Sequence, residues 1–446
     1  LGEGGVGVAR TVDVCIITEG AYPFISGGVS SWLHALLTNL PRYTFAVVHL
    51  SSTPDPARVS KYVLPENVVE LREIFIHDAS VLEDAPRGDP PKWLWPALSR
   101  LHAAMPERFS FTDDDYRRWL SDPHLAGASL GDLFRSPESW DLLVERYRAR
   151  APESPFLDYF WTFRYTHLPI FSLLRAQLPD AWVYHAISTG LNGFAGALAK
   201  QRTGRPLLVT EHGIYVRERE IEIAQAEWIT SHEQTEALLG KRLGFFQEWW
   251  LDMFRYITRF TYDAADRVIS IAAANQRYQL RNGADPATLR VIPNGVNAAR
   301  LRDLRPVLVG DGDPFIVGFV GRVVPIKDVK TFIRAINIAA TIIPHLEAYI
   351  VGPTDEDEEY FVECRELVAQ MNLTAVIRFT GSADVREYYR SIDVLVLTSL
   401  SEGQPLVILE ANGAGVPVIA SDVGACREML EGGEPEDQAI GQSGLL

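Results

Sequence analysis

The sequence predicts an α/β fold of two domains, each a parallel sheet with helices on both faces. Three observations predict it. Short apolar runs alternate with helix-length segments, the runs fall into two sets, and a turn-rich stretch, ARLRDLRPVLVGDGDP at 299–314, separates the sets. Runs that are apolar throughout, rather than alternating, belong to strands buried on both faces. The chain has 446 residues, and at about 100–200 residues per domain that allows two to four domains. The boundary is expected near residue 305, giving an N-terminal domain of 1–305 and a C-terminal domain of 306–446.

In the first set, VDVCIIT (12–18), TFAVVHL (44–50), AWVYH (181–185), PLLVT (206–210), RVISI (267–271) and RVI (290–292) read as strands. In the second, FIVGFV (315–320), LEAYIV (346–351), AVIRFT (375–380), DVLVLT (393–398) and VPVIA (416–420) do so. Helical spacing interrupts the first set over 85–165, where YRRWL and WDLLVERYRAR lie, and again over 215–262, expected to form two long helices. All ten tryptophans lie at or before Trp250. They are expected to pack these added helices.

Composition excludes several classes. At 47% hydrophobic and 22% charged the chain is globular rather than disordered. Lysine plus arginine number 42 against 58 aspartates and glutamates, a net charge of −16, which argues against nucleic acid as a partner. Cys15, Cys364 and Cys426 are few, scattered and odd in number. They form no disulfide framework or clustered zinc site and suit a reducing cytosol. No stretch approaches 18 uninterrupted apolar residues, so no membrane span is expected. The opening LGEGGVGVAR does not read as a signal peptide. Because it starts with Leu, an upstream start is expected.

Three segments carry candidate chemistry. TEGAYPFISGGVSSW (18–32) follows the first strand and precedes a helix. Gly27 and Gly28 are expected to take unusual dihedrals and let a ligand approach the backbone, with the helix N-terminus open to an anion. The segment is not GxGxxG, which disfavours a nicotinamide or flavin cofactor. GRVVPIKD (321–328) places Arg322 and Lys327 at the carboxyl end of a strand. A forked donor and a point charge there suit a pyrophosphate. SEGQPLVILEANGAGVPVIASDVG (401–424) places Glu402 in a loop and Glu410 on a helix running from about 405 to 413. Leu406, Val407, Gly413 and Ala414 surround Glu410 at helical spacing, and a carboxylate on so apolar a face needs donors such as sugar hydroxyls. His185 and His212 end strands of the first domain and can donate to a hydroxyl or phosphate. HExxH, GxSxG, P-loop and Cys/His signatures are absent, so no metal is expected.

GRVVPIKD, the Glu402-to-Glu410 spacing and IPNGVN (292–297) together resemble the retaining glycosyltransferases of family four. That resemblance implies the GT-B fold of two facing Rossmann-like domains. TEGAYPFISGGVSSW, TEHGIYVRERE (210–220) and the large insertion are similar to one branch of that family, the PelF-type enzymes of Pel exopolysaccharide synthesis. It implies that Arg322 and Lys327 hold the donor diphosphate, Glu410 the ribose and Glu402 the transferred hexose. Leu406 and Val407 would join this donor site, His212 would contact the donor sugar, and Gly27 and Gly28 would line the phosphate side. His212 and Glu402 would be the catalytic pair. The donor implied is UDP-glucose or a UDP-N-acetylhexosamine, used without metal or other cofactor and with front-face attack. The acceptor would be a growing polysaccharide. The enzyme would be cytoplasmic, held peripherally by inner-membrane polysaccharide-synthesis proteins. Relatives continue past GQSGLL, so a further C-terminal segment is expected. A sugar-nucleotide epimerase and a non-catalytic sugar-nucleotide-binding subunit are the competing readings, and retention of all matched site residues favours the transferase.

Overall fold

The structure, a computed structural model, describes residues 11–78, 92–96, 99, 134–225, 244–304, 313–433 and 435–446. The described chain forms two compact units. The first runs to Ser270 and takes up Tyr278–Arg290 again; the second holds Ile271–Arg277 and the chain from Val291 onward. The division therefore falls earlier than residue 305. The reason is burial: Leu301 and Leu304 insert into the second unit's core beside Leu395, Ile408 and Ala411, and their apolar area outweighs the polar character of the residues around them. Residues 305–312 of the turn-rich stretch lie outside the described residues.

The first unit is built on seven strands, β1 (Val12–Glu19), β2 (Phe45–Ser51), β3 (Val68–Phe75), β4 (Ala181–Ala186), β5 (Leu207–Glu211), β6 (Arg267–Ser270) and β7 (Leu289–Val291). Their order is β3-β2-β1-β4-β5-β6-β7, and β1 pairs in parallel with both β2 and β4. Alternate residues feed two cores. Cys15, Ile17, Ala46 and Val48 face one side; Ile16, Phe45 and Val47 face the other. This explains why β2, FAVVHLS, is buried at every position. β3 escaped the sequence reading because VVELREIF carries Glu70, Arg72 and Glu73 on a half-exposed edge strand.

Among the described residues this sheet is accompanied by helices α1 (Gly28–Asn39), α2 (Pro137–Arg150), α3 (Phe156–Arg175), α4 (Leu191–Thr203), α5 (Tyr215–Gln225), α6 (Phe245–Ala264) and α7 (Ala273–Arg281). Parts of both expected helical interruptions, including 100–133 and 226–243, lie outside the described residues. Where described, the added helices do pack through rings: Trp249 is buried and meets Tyr159 edge-on at 4.9 Å. Trp140 and Trp161 stay about half exposed.

Six strands make the second sheet, β8 (Phe315–Val320), β9 (Leu346–Val351), β10 (Ile377–Gly381), β11 (Val394–Leu397), β12 (Val418–Ala420) and β13 (Gly444–Leu445), ordered β10-β9-β8-β11-β12-β13. β13, two residues long, is too short to show as an apolar run. The helices of this unit are α8 (Ala298–Arg302), α9 (Val329–Ala339), α10 (Glu358–Gln370), α11 (Val385–Tyr389), α12 (Leu406–Ala414), α13 (Cys426–Glu431) and α14 (Pro435–Ile440). Val329, Phe332, Ile333 and Ile336 form the buried stripe of α9 at one-turn spacing, and Asp328 caps it by accepting from Thr331 N.

Both sheets reverse strand order once, between β1 and β4 and between β8 and β11. Connections leave such a point in opposite directions, so the carboxyl ends of its strands open a crevice. No helix among the described residues is long and apolar enough to cross a membrane.

Leu301→Ala should lower stability by about 2–4 kcal/mol as a core truncation, while its exposed neighbour Arg302→Ala should change it by less than about 0.5 kcal/mol. Calorimetric unfolding of the two variants checks whether this short helix belongs to the second core.

Candidate functional site

In the second unit, the loops leaving β8 and β11 are joined by hydrogen bonds. Thr398 Oγ1 donates to Lys327 O (3.1 Å) and Asp328 O (2.9 Å), and Leu400 N donates to Ile326 O (2.9 Å). This brings Lys327 Nζ to Glu402 Oε1 at 2.5 Å, where Ser399 Oγ also donates at 2.6 Å. The Glu402 side chain is only 9% exposed. Arg322, on the more open side of the same loop, pairs with Glu356. Both predicted diphosphate cations thus already hold carboxylates.

The backbone around Glu402 leaves little freedom. Gly424 has φ 56, and a Cβ there would stand 2.0 Å from Glu402 O. Ala425 N donates to Gly403 O at 2.9 Å, and Asn294 N, from the IPNGVN segment, donates to Gln404 Oε1 at 2.6 Å. Only glycine fits so close an approach at a left-handed dihedral.

Glu410 lies on α12, which starts after Pro405 and is closed by Gly415 in the left-handed conformation. Leu406 and Val407 occupy its first turn, half-buried. Glu410 accepts from Tyr389 Oη at 3.2 Å and forms no ion pair among the described residues. Burial pushes its carboxyl above the usual range, against the Tyr389 hydrogen bond, which lowers it. An acceptor with one weak protein donor in a partly desolvated setting can take hydroxyl donors from a ligand.

A second cluster lies within the first unit. Gly27 is extended, with φ 168 and ψ 176, and α1 begins at Gly28. Neither glycine takes the unusual dihedrals expected of it, Gly27 being ordinary extended backbone; the left-handed residue of this loop is Gly20, φ 55. What Gly27 offers is space, because a Cβ there would meet nothing within 4 Å. His212 follows β5, with its Nε2 buried and without a hydrogen-bond partner among the described residues. His185 Nε2 pairs with Thr210 Oγ1 at 2.8 Å. Trp32 meets His212 edge-on at 4.4 Å and His185 at 6.4 Å. Burial pushes both imidazoles down to about 4, and His185 depresses His212 further. Both rings are therefore neutral at pH 7. Glu211, beside His212, accepts from Tyr262 Oη (2.6 Å), Thr189 Oγ1 (2.9 Å) and Gln279 Nε2 (2.9 Å). It anchors the turn that carries the histidine.

The structure thus groups Lys327 with Glu402 in one unit and Trp32, His185 and His212 in the other. Sequence reasoning missed Glu356, Tyr389, Ser399 and Trp32 as members of these clusters. Strand order was the signal for Glu356: its loop follows β9, the neighbour of β8. Tyr389 stands 21 residues from Glu410 with nothing local to mark it. Among the described residues no group of three or more His, Cys, Asp or Glu side chains is placed to hold a metal.

Residues 12–287, more than half the chain, match the family described as a domain of unknown function, DUF3492. The chain belongs to this family. Residues 314–443 match the glycosyl transferases group 1 family, in agreement with the family-level resemblance of the second unit. Among curated relatives, a D-inositol 3-phosphate glycosyltransferase of Streptomyces griseus is 29% identical over 286 residues, 56% of each chain. A second, from Catenulispora acidiphila, is 28% identical over 57% of this chain and 60% of its own length. The chain spans little more than half the length of these relatives. Among solved structures, Anabaena HepE in complex with UDP has a TM-score of 0.54 at 17% identity, covering 96% of this chain and 88% of that one. Sucrose-phosphate synthase of Thermosynechococcus elongatus gives 0.53 at 19%, covering 93% and 82%. At these identities the likeness concerns the fold: two Rossmann-like parallel-sheet domains, the GT-B class.

The histidines make stability depend on pH. Each titrates near 4 in the fold and near 6.5 unperturbed, so between these values the unfolded chain binds more protons and stability falls as pH drops from 6.5 toward 4. The raised carboxyls, Glu211 and Glu410 among them, act in the opposite sense, so the test is differential. His212→Gln should remove roughly 2–3 kcal/mol of the pH 7-to-4 loss. Thermal unfolding of both proteins across that range measures it; identical profiles would mean that the fold does not lower the proton affinity of His212.

Proposed function

We propose that the protein is a metal-independent, retaining glycosyltransferase that moves a hexose from a UDP-sugar to a growing polysaccharide. The observation that carries this reading is the Lys327–Glu402 contact at the switch point of the second sheet, in the segment that matches glycosyl transferases group 1. A cation and a nearly buried carboxylate there suit a diphosphate and a sugar hydroxyl.

On this reading the incoming diphosphate takes over Lys327 from Glu402 and Arg322 from Glu356. Glu402, released, accepts from hydroxyls of the hexose, and Glu410 accepts from the ribose. The amides of the first turn of α12, Leu406 and Val407 included, face the phosphate charge. His212 and the open backbone at Gly27 and Gly28 serve the reacting sugar and its phosphate side. The acceptor oxygen bonds to the anomeric carbon on the face from which the carbon–oxygen bond to the diphosphate breaks. Its proton passes to the departing phosphate oxygen, and Arg322 and Lys327 stabilise the charge that develops. Configuration is thereby kept without a carboxylate nucleophile.

The polysaccharide acceptor rests on the likeness of TEGAYPFISGGVSSW and TEHGIYVRERE to the PelF-type branch. Peripheral attachment to inner-membrane synthesis proteins rests on the same likeness. The names of the curated relatives favour a second acceptor, a phosphorylated inositol. Offering UDP-glucose and UDP-N-acetylhexosamines with either acceptor, and following UDP release and product, separates the two.

Arg322→Ala and Lys327→Ala should each lower turnover about a hundred- to thousandfold with the fold intact. Glu410→Gln should weaken UDP about ten- to a hundredfold through loss of charge-assisted acceptance. Glu402→Gln should leave UDP affinity undiminished, since it frees Lys327, while turnover falls. Calorimetric titration of UDP into each variant decides, and wild-type affinity in Glu410→Gln would end the ribose assignment.

Turnover should also survive a chelator, because Arg322 and Lys327 supply the positive charge a metal would otherwise bring. Loss of activity in EDTA that magnesium or manganese restores would overturn metal independence.

A further inference from the structure

The turn between β5 and α5 presents an imidazole, that of His212, whose Nε2 is buried and has no hydrogen-bond partner among the described residues. A ring in that state is not oriented through this atom, which leaves a part for the packing around it. His185, next to it, is held differently, by Thr210 Oγ1 at 2.8 Å. Trp32 meets both rings edge-on, His212 at 4.4 Å and 71° and His185 at 6.4 Å and 87°. Edge-to-face contact at such distances is a directional attraction beyond area burial. The indole is itself well anchored, because its neighbours on α1, Leu33 and Leu37, are fully buried against Ile16 and Val47.

We propose that Trp32 is a positioning residue that holds the His212 imidazole in a single orientation. The indole meets both imidazoles, and α1, which carries it, starts at the Gly27–Gly28 loop. A ligand-induced shift of that loop would therefore reach His212 through a rigid helix and one aromatic contact. The inference deepens the reading of His212 as a residue that acts on the reacting sugar, and it rests on that reading for its catalytic consequence. The orientation itself can be tested without it.

The first test is structural. Crystal structures of the full chain carrying Trp32→Phe or Trp32→Leu should show the His212 ring as in the unsubstituted protein in the first variant and rotated or split in the second. Trp32→Met replaces Trp32→Leu if the latter does not fold. An unchanged His212 ring in a folded non-aromatic variant overturns the proposal.

The second test is kinetic, with UDP-glucose as the probe and UDP release as the readout. Trp32→Leu should lower kcat about ten- to a hundredfold, as expected for a misplaced group, with KM little changed, and Trp32→Phe should restore most of it. On top of His212→Ala, Trp32→Leu should cost less than about twofold, because both changes act through one ring. Full additivity overturns the proposal. If His212→Ala alone turns over like wild type while the ring still depends on Trp32, the functional reading of His212 has failed and the positioning stands.

Discussion

The second unit depends on one constraint: two parallel strands, β8 and β11, lie side by side and send their loops out over the same edge. The loops meet through Thr398, which donates to two successive carbonyls, and through the Leu400 amide. Lys327 and Glu402 come together because those backbones are tied. The close passage of Gly424 past Glu402 O then holds the glutamate's main chain from the other side. A salt bridge between two mobile surface chains would be worth little. Here both side chains are largely buried and a third donor, Ser399, shares the carboxylate.

The candidate cations of this unit are held in pairs. Arg322 and Lys327 each face a carboxylate, one pair more exposed than the other. On the proposed reading a diphosphate takes the place of these carboxylates, and the one displaced from Lys327 is itself an acceptor for hydroxyls. Glu410 complements this pair: raised by burial and answered by one tyrosine, it is an acceptor short of donors.

The first unit solves a different problem, holding polar groups inside a sheet covered on both faces. Glu211 is wholly buried and answered by three side-chain donors from the Thr189 loop, α6 and α7. The histidines are buried as neutral rings. Leaving His212 Nε2 unanswered is destabilising, and such groups concentrate where a ligand supplies the missing partner.

The sequence by itself determined the two parallel sheets, most of their strands and the place of the charged loops. Strands buried on both faces must be apolar throughout, and loops at their carboxyl ends must carry whatever binds. It also located Glu410 as a carboxylate on an apolar helix face. β3 was hidden because an edge strand tolerates Glu70, Arg72 and Glu73. The true boundary was hidden because burial of Leu301 and Leu304 is a tertiary fact. Only the tertiary structure decided which groups are partners: Glu356 with Arg322, Glu402 with Lys327, Tyr389 with Glu410 and Trp32 with His212. Those partners come from neighbouring strands and helices far apart in the chain. Their contacts follow from strand order and side-chain packing, which no local pattern of residues encodes.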